Sequence, residues 1–210
     1  MSLVILIPAF NEEDTIAGVV RPALEADVGL VVVISDGSTD HTAAVASAAG
    51  AKVLDLSPNQ GKGTAMLKGV QTFSEVDTVV FLDADLLGLR ADHVRALGAP
   101  FAPGTVMRCA LRDYGPILNK LQVGIPRITG ERAVTMSVLA KVPESFWHGF
   151  RIEAGINQAA KLLGKTESFV MDGVSIRTKW QKTGDDGFTK GVSMVFDVVD
   201  AIHDAKTEIR

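Results

Sequence analysis

The sequence predicts an α/β fold: a single domain built on a Rossmann-like, mostly parallel sheet with flanking helices. Two observations carry this prediction. Short aliphatic runs alternate with longer segments of helical periodicity through the first half of the chain, which is typical of buried parallel strands joined by crossover helices. The length of 210 residues, of which 47% are hydrophobic, fits one core more easily than two.

The predicted elements of the first half alternate regularly. Strands are predicted at about residues 3–7, 30–35, 51–55 and 77–82, with helices between them at about 12–26, 39–49 and 62–75. Asn11 is predicted to cap the first helix and Ser38 the second, because short polar side chains at these positions accept hydrogen bonds from the first free N–H groups of a helix. The series βαβαβαβ then places the carboxyl ends of the strands at one edge of the sheet.

The second half is less regular, since five prolines interrupt it: Pro100, Pro103, Pro116, Pro126 and Pro143. A helix is predicted at about 151–163. The alternating stretch 166–180 predicts either a hairpin or two strands. A last helix starts near Phe188 and extends past Ile202, with an apolar stripe that packs on the body of the protein or on a second subunit of a homodimer.

Composition excludes several classes of function. The formal charge of −4 gives no broad positive field for a nucleic-acid partner. The single cysteine, Cys109, rules out an internal disulfide and a cysteine-based zinc site, and predicts a small core residue in a reducing, cytoplasmic compartment. No apolar run approaches the ~20 residues of a transmembrane segment, and the short run Leu3 to Ile7 lacks the features of a signal peptide. Any membrane contact is therefore expected to be peripheral.

The strongest single motif is Asp83-Ala84-Asp85, a DXD motif directly after the fourth predicted strand. Two carboxylates at a strand end can converge on a divalent cation, and oxygen ligands suit Mg²⁺ or Mn²⁺ bound to a diphosphate. An acidic turn that merely ends a strand has the same sequence. The strand context favours the cation site.

Two further motifs follow predicted strands. In Asp36-Gly37-Ser38-Thr39-Asp40 the glycine permits a tight turn, and Asp36 is predicted to accept hydrogen bonds from a base or ribose; helix capping alone is the alternative. In Asn59-Gln60-Gly61-Lys62-Gly63 a cation on a glycine-flanked loop before a helix suits the approach of a phosphate. This loop is not a Walker A motif, because Leu56 and Gly63 stand where glycine and a hydroxyl residue are required.

In this order, four segments resemble the family 2 glycosyltransferases of the GT-A fold, including the dolichyl-phosphate-mannose-synthase-like and glucosyl-3-phosphoglycerate-synthase-like branches. They are Pro8-Ala9-Phe10-Asn11-Glu12-Glu13, Ile34 to Asp40, Asn59 to Gly63, and Phe81 to Asp85. The resemblance is strong over about residues 3–90 and looser to about 180. It implies one family 2 domain over 1–210, with a nucleotide-binding half at 1–100 and an acceptor-binding half, including the C-terminal helix, at 101–210.

The resemblance implies a set of nucleotide-binding residues and a divalent cation, Mg²⁺ or Mn²⁺. The implied contacts to the nucleotide are Pro8, Ala9, Phe10, Glu12, Asp36, Lys62, Asp83 and Ala84. Asp83 would contact the ribose or the metal, and Asp85 would coordinate the metal that bridges the diphosphate.

Two segments of the second half resemble the part of these enzymes near the donor sugar and acceptor. Ile128-Thr129-Gly130-Glu131-Arg132-Ala133 is similar to a Ser-Gly-x-Arg-Ala segment, and His148-Gly149-Phe150-Arg151-Ile152-Glu153 to a Gly-aromatic-x-x-Glu segment. We expect Arg132 and Glu153, together with Asp85, to be the catalytic residues. The alternatives are a surface ion pair for Arg132 and a first-turn helix residue for Glu153.

The sequence departs from the family pattern at two places near the metal. Leu86 and Leu87 follow Asp85 where the mannose-synthase-like branch often has Leu-Gln, and no histidine stands near Ile176, where many relatives carry one. Diphosphate oxygen or water would complete the coordination shell. The basic residues Arg177, Lys179 and Lys182 could neutralise a leaving diphosphate or form a solvated strand, and His148 is a candidate substitute ligand.

These observations predict a metal-assisted glycosyltransferase that moves a sugar from a nucleotide-diphosphate-sugar donor to an acceptor hydroxyl or phosphate. The acceptor is either a soluble phosphorylated small molecule or a lipid phosphate, the latter placing the protein peripherally at the inner membrane face. The alternative is a catalytically degenerate module that binds nucleotide sugars. A nucleotidyltransferase is disfavoured, because Pro8-Ala9-Phe10-Asn11 replaces its glycine-rich basic signature.

Overall fold

The computed structural model describes residues 2–113, 129–149, 151–176 and 200–209. The strands are β1 Leu3–Ala9, β2 Leu30–Asp36, β3 Lys52–Leu56, β4 Thr78–Phe81, β5 Leu86–Leu87, β6 Thr105–Arg112, β7 Arg132–Thr135, β8 Lys165–Met171 and β9 Ser175–Ile176. The α-helices are α1 Ile16–Ala26, α2 Thr42–Ala48, α3 Lys62–Thr72, α4 Ala91–Gly98, α5 Met136–Ala140 and α6 Arg151–Leu163, with a 3-10 turn at Glu144–Phe146. Residues 200–208 are the described part of the last helix, α7.

The described part of the main sheet has the strand order β3-β2-β1-β4-β7-β6-β8. Strands β1 to β4 pair in parallel. Strand β7 runs antiparallel between β4 and β6, and β8 pairs in parallel with β6, so β7 alone in this order is reversed. The predicted mostly parallel sheet with flanking helices is confirmed.

Alternate residues of β1 enter two apolar layers, one on each face of the sheet. Ile5 and Ile7 pack with residues of α1 and α4 in the first layer. Val4 and Leu6 pack in the second layer, which includes residues of α3, α6 and α7. Because both faces are covered, the central strands are continuous aliphatic runs, the feature from which they were predicted.

The two predicted helix caps are wrong, because both side chains bond across loops instead. Helix α1 begins at Ile16, and Asn11 has a positive φ of 55°. Asn11 Oδ1 accepts a hydrogen bond from Thr39 N at 2.8 Å, and Ser38 Oγ accepts one from Asn11 N at 3.2 Å. The loops after β1 and β2 are therefore tied to each other rather than to their own helices.

The second half agrees with the sequence in part. Helix α6 occupies the predicted range 151–163. The stretch after it forms two strands rather than a hairpin, because β8 pairs with β6 whereas β9 pairs with β5; residues 177–180 lie outside the described residues. Cys109 is fully buried and unbridged, as predicted.

The described part of the last helix packs on the body of the protein. Ala201, Ala205 and Ile209 are buried in the second apolar layer, and Asp204 Oδ2 accepts a hydrogen bond from Arg151 Nη1 at 2.8 Å. The stripe from Phe188 to Val199 lies outside the described residues, and a homodimer contact stays a prediction. Within the described ranges, none of the helices is long and apolar enough to cross a membrane.

Candidate active site

The strand order places a crevice at the carboxyl ends of β1 and β4. From β1 the chain moves outward through β2 to β3 and then returns to the other side of β1 as β4. Ligands of open α/β sheets bind where the order reverses in this way. Pro8 to Glu12 lie at the end of β1 and in the loop after it, and Asp83 to Asp85 lie in the loop after β4. These are the segments predicted to hold a nucleotide and a cation.

The loop after β1 presents an aromatic ring on a fixed backbone. Pro8 and Ala9 are buried at the end of β1, whereas Phe10 is 47% exposed. The backbone N–H of Glu12 donates to Thr42 Oγ1 at 2.8 Å, which ties the loop to the start of α2. An exposed ring on a loop held in this way can stack on a flat ligand.

Asp36 anchors the loop that precedes α3. Its Oδ1 accepts a hydrogen bond from Gln60 N at 2.9 Å and its Oδ2 one from Gly61 N at 2.7 Å. Asn59 Nδ2 donates a hydrogen bond to the backbone carbonyl of Asp36 at 2.7 Å. The side chain of Asp36 is buried. Its hydrogen bonds to this loop fix the start of helix α3, which carries Lys62.

Lys62 joins the two halves of the chain. Its Nζ lies 2.6 Å from Asp83 Oδ1 and 3.8 Å from Glu153 Oε1. The approach depends on Gly63, because a Cβ at this position would lie 2.3 Å from the carbonyl oxygen of Trp147. The Lys62 side chain is 41% exposed, and its Nζ lies between two carboxylate partners.

The other oxygen of Asp83 binds a second cation. Arg112, at the carboxyl end of β6, places Nη2 2.8 Å from Asp83 Oδ2 and 2.8 Å from Glu131 Oε1. Thr129 Oγ1 donates a hydrogen bond to Glu131 Oε2. Asp83 therefore lies between Lys62 and Arg112, and each of these side chains is paired with one of its carboxylate oxygens.

These contacts determine which carboxyl groups are ionised. Burial alone would raise the pKa of Asp83, but the positive charges of Lys62 and Arg112 outweigh burial and hold that pKa below its usual range. Burial raises the pKa of Glu131, and the negative charge of Asp83 raises it further. For Lys62, burial is outweighed by Asp83 and Glu153, and the pKa is raised. Asp83 and Lys62 are thus a charged pair at neutral pH.

Arg132 and Glu153, the two catalytic residues predicted in the second half, have different environments. Arg132 is 1% exposed, and its guanidinium donates to the carbonyl of Thr129 and, at 3.3 Å, to Asn157 Oδ1. It therefore supports the turn before β7 from inside the protein. Glu153 is also buried, but its Oε2 has no hydrogen-bond partner among the described residues, so it can accept a hydrogen bond from an incoming hydroxyl group.

The described acidic side chains at this edge do not form a complete metal site from protein ligands. Among the described residues no group of three His, Cys, Asp or Glu side chains could hold a metal ion. Both oxygens of Asp83 are engaged by positively charged side chains, Oδ1 by Lys62 and Oδ2 by Arg112. A site with few protein ligands is typical of Mg²⁺, which keeps waters and substrate phosphate oxygens in its shell.

We expect Glu153→Gln to stabilise the protein at neutral pH. Burial raises the pKa of Glu153 above the usual 4.5, so between 4.5 and that raised pKa the native state binds more protons than the unfolded state, and stability falls as pH rises. The amide carries no such cost. In denaturant unfolding, the variant should have a larger free energy of unfolding than wild type at pH 7, and the difference should decrease towards pH 4.

The matched control for this experiment is Glu144→Gln, which replaces an exposed glutamate of the 3-10 turn. It should leave the pH profile of stability unchanged. A Glu153→Gln variant that is less stable than wild type at pH 7 would contradict the view that ionising the buried Glu153 carboxyl group destabilises the native state.

The prediction from sequence missed three residues of this cluster. Thr129 and Glu131 belong to the segment Ile128 to Ala133, in which the resemblance indicates only Arg132. Arg112 has no local motif, but an arginine at the carboxyl end of a strand that runs parallel to β4 is a usable signal once the sheet order is known.

Comparisons with known proteins find sequence relatives for the first half of the chain. The model of the family "Glycosyl transferase family 2" matches residues 4–96. A 4,4'-diaponeurosporenoate glycosyltransferase of Staphylococcus aureus strain MRSA252 is 40% identical over 102 residues, which cover 46% of this chain and 27% of the relative. The chain thus spans about a quarter of the length of the curated relatives it matches.

Solved structures extend the likeness to the whole chain. Glucosyl-3-phosphoglycerate synthase from Mycobacterium tuberculosis, in complex with phosphoglyceric acid, aligns with a TM-score of 0.77 at 23% identity and covers 97% of this chain and 79% of its own. The same enzyme with Mn²⁺, uridine diphosphate and glucosyl-3-phosphoglycerate gives a TM-score of 0.78 at 22% identity, with the same coverage. At this identity the likeness establishes the fold.

Proposed function

We propose that this chain is a family 2 glycosyltransferase with the GT-A fold, which transfers a sugar from a nucleotide-diphosphate-sugar donor to an acceptor hydroxyl or phosphate. One observation carries the proposal. Lys62, Asp83 and Glu153, which come from distant parts of the sequence, meet at the edge where the sheet order reverses.

The nucleotide would lie over the loops after β1 and β4. Phe10 offers an exposed ring for the base, and Pro8, Ala9 and Ala84 are buried residues near the ends of β1 and β4. The ribose hydroxyls would lie near the carboxylates of Glu12 and Asp83. Asp36 supports this side by holding the loop before Lys62, and a direct contact with the base would require it to exchange one of those two hydrogen bonds.

The diphosphate and the sugar would lie towards the second half of the chain. A divalent cation held by Asp85, with Asp83 beside it, would neutralise the leaving diphosphate as a Lewis acid. Lys62 adds a positive charge that is partly exposed. Glu153 Oε2 is free to accept a hydrogen bond from a hydroxyl of the donor sugar or the acceptor, and Arg132 keeps the neighbouring turn in place.

The acceptor belongs to the chemistry of small acids or lipid phosphates. Phosphoglyceric acid is the molecule named with the mycobacterial enzyme, and diaponeurosporenoate, by its name also an acid, is the substrate named for the staphylococcal relatives. We favour a soluble, phosphorylated small acid, because the structural likeness to the former covers nearly the whole chain. A cytoplasmic location fits this choice.

A catalytically degenerate nucleotide-sugar-binding module is the second candidate. The observation that favours it is the small donor set for a cation, with Asp83 already between two cations and no three-residue metal group among the described residues. Such a module would bind the donor without turning it over.

The deciding experiment is a thermal-shift panel of UDP-, GDP-, ADP- and dTDP-sugars with and without Mn²⁺, followed by a transfer assay with phosphoglyceric acid and with a polyprenyl phosphate. A ligand that binds the native state raises the apparent stability. We expect one base to be preferred and Asp85→Asn to lower transfer about a hundredfold. Asp92→Asn, on the exposed face of α4, is the control. Binding without turnover would support the module instead.

A further inference from the structure

Arg112 is shared between a residue of the DXD motif and a fully buried glutamate. Its Nη2 lies 2.8 Å from both Asp83 Oδ2 and Glu131 Oε1, and its Nε lies 3.3 Å from the same glutamate oxygen. A guanidinium bound through two nitrogens to one carboxylate has a defined orientation. Glu131 therefore determines where Arg112 meets Asp83.

Burying the carboxyl group of Glu131 costs free energy that its contacts must offset. The residue is 0% exposed, and a carboxyl group removed from water must be compensated by charge and hydrogen bonds. Arg112 and Thr129 supply this compensation. A hydrophobic residue of similar volume would usually be as stable in such a place, so stability alone does not account for the acid.

The backbone next to Glu131 holds Asp83 from another side. A Cβ added to Gly130 would lie 2.2 Å from Asp83 Oδ1 and 2.5 Å from Oδ2. The turn 129–131 thus packs directly on the carboxylate, while Arg112 binds one oxygen and Lys62 the other. The orientation of Asp83 is set by contacts on three sides.

We propose that Glu131 and Arg112 are a positioning pair that holds the Asp83 carboxylate in the orientation needed to bind the donor nucleotide. The inference rests on the proposed function, because it takes Asp83 as a donor contact. Neither residue needs to touch the substrate, and their effect is exerted through Asp83. Partners of this kind typically change ligand affinity or activity 10- to 100-fold when they are replaced.

The chain offers a matched control four residues earlier on the same face of β6. Arg108 Nη2 pairs with Glu167 Oε2 at 3.1 Å, and Arg108 also binds backbone carbonyls after α4. This pair is an arginine–glutamate contact between β6 and its neighbour β8, in which Arg108 and Glu167 are register partners. Glu167→Gln therefore removes a comparable charge contact away from the crevice.

The test compares wild type, Glu131→Gln, Arg112→Lys and Glu167→Gln by calorimetric titration with UDP, GDP, ADP and dTDP, each with Mn²⁺, and by donor KM and kcat. We expect the first two variants to weaken binding of the preferred nucleotide and raise donor KM at least tenfold, with a smaller change in kcat. Glu167→Gln should lower the melting temperature without changing affinity. Arg112→Lys, which keeps the charge, covers the case in which Glu131→Gln does not fold.

Two negative results are distinguishable. If wild type binds none of the four nucleotides, the proposed function fails, and this inference fails with it. If wild type binds one of them and both Glu131→Gln and Arg112→Lys bind it within twofold of wild type, the proposed function stands, and the positioning role of the pair is overturned.

Discussion

Lys62→Met is expected to abolish transfer almost completely, with a loss of about a thousandfold, while the fold is kept. The variant removes the cation on Asp83 Oδ1, which is also the positive charge 3.8 Å from Glu153 Oε1. Removing one preorganised group that stabilises developing charge typically costs 10²–10³ in rate, and the displaced Asp83 adds to this loss. The measurement is kcat for donor turnover in the Mn²⁺-dependent assay.

The stability of the same variant should fall by roughly 1 kcal/mol, since two carboxyl groups lose a shared partner that is itself partly exposed. Lys68→Met is the matched control, because Lys68 lies on the exposed side of the same helix α3. It should retain wild-type turnover. A Lys62→Met variant with turnover within threefold of wild type would place the reacting diphosphate away from this lysine.

The prediction of β1 to β4 from sequence succeeded because both sheet faces are covered. A strand buried on both sides is a continuous aliphatic run, as in Leu3 to Ile7, and such a run is visible locally. The start of α1 was missed for the opposite reason. Asn11 is a residue type that often caps helices, but its side-chain oxygen accepts a hydrogen bond from Thr39 N in another loop. A contact between residues 28 positions apart leaves no local sequence pattern.

Strand β6 shows a second limit. No strand is predicted from sequence over this segment, although Cys109 within it is predicted to be a core residue. Arg108 and Arg112 interrupt its apolar pattern. In the structure each arginine is paired with a glutamate of another strand or turn, Glu167 or Glu131. Arginine and glutamate are usually surface residues. When the two partners of an ion pair are far apart in the sequence, no local pattern shows that they lie within the fold.

The candidate site was predictable only through its motifs. Asp83 and Asp85 follow a strand, and this alone predicted their edge of the sheet. The meeting of Lys62 with Glu153 depends on how α3 packs against the segment before α6, through Gly63 and Trp147. The cluster also joins residues on both sides of the predicted boundary near residue 100, because Arg112 binds Asp83. That division stays a prediction about roles rather than about separate cores.

Gly130→Ala should disable the site through a single methyl group. The new Cβ would lie 2.2–2.5 Å from the Asp83 carboxylate atoms, closer than any real contact, so the carboxylate or the turn must move. Asp83 has little freedom to move, because Lys62 and Arg112 hold its two oxygens. A misplacement of about 1 Å can cost a hundredfold in rate, and overpacking typically costs about 1–3 kcal/mol in stability.

The control is Gly18→Ala in helix α1, where nothing lies within 4 Å of the added Cβ. Alanine is favoured over glycine inside a helix by roughly 0.5–1 kcal/mol, so this variant should be slightly more stable than wild type and fully active. We expect Gly130→Ala to lose nucleotide affinity and turnover together, measured by titration with Mn²⁺ and by transfer. Wild-type affinity in Gly130→Ala would mean that Asp83 is free to turn away, and that its orientation is not what the cluster preserves.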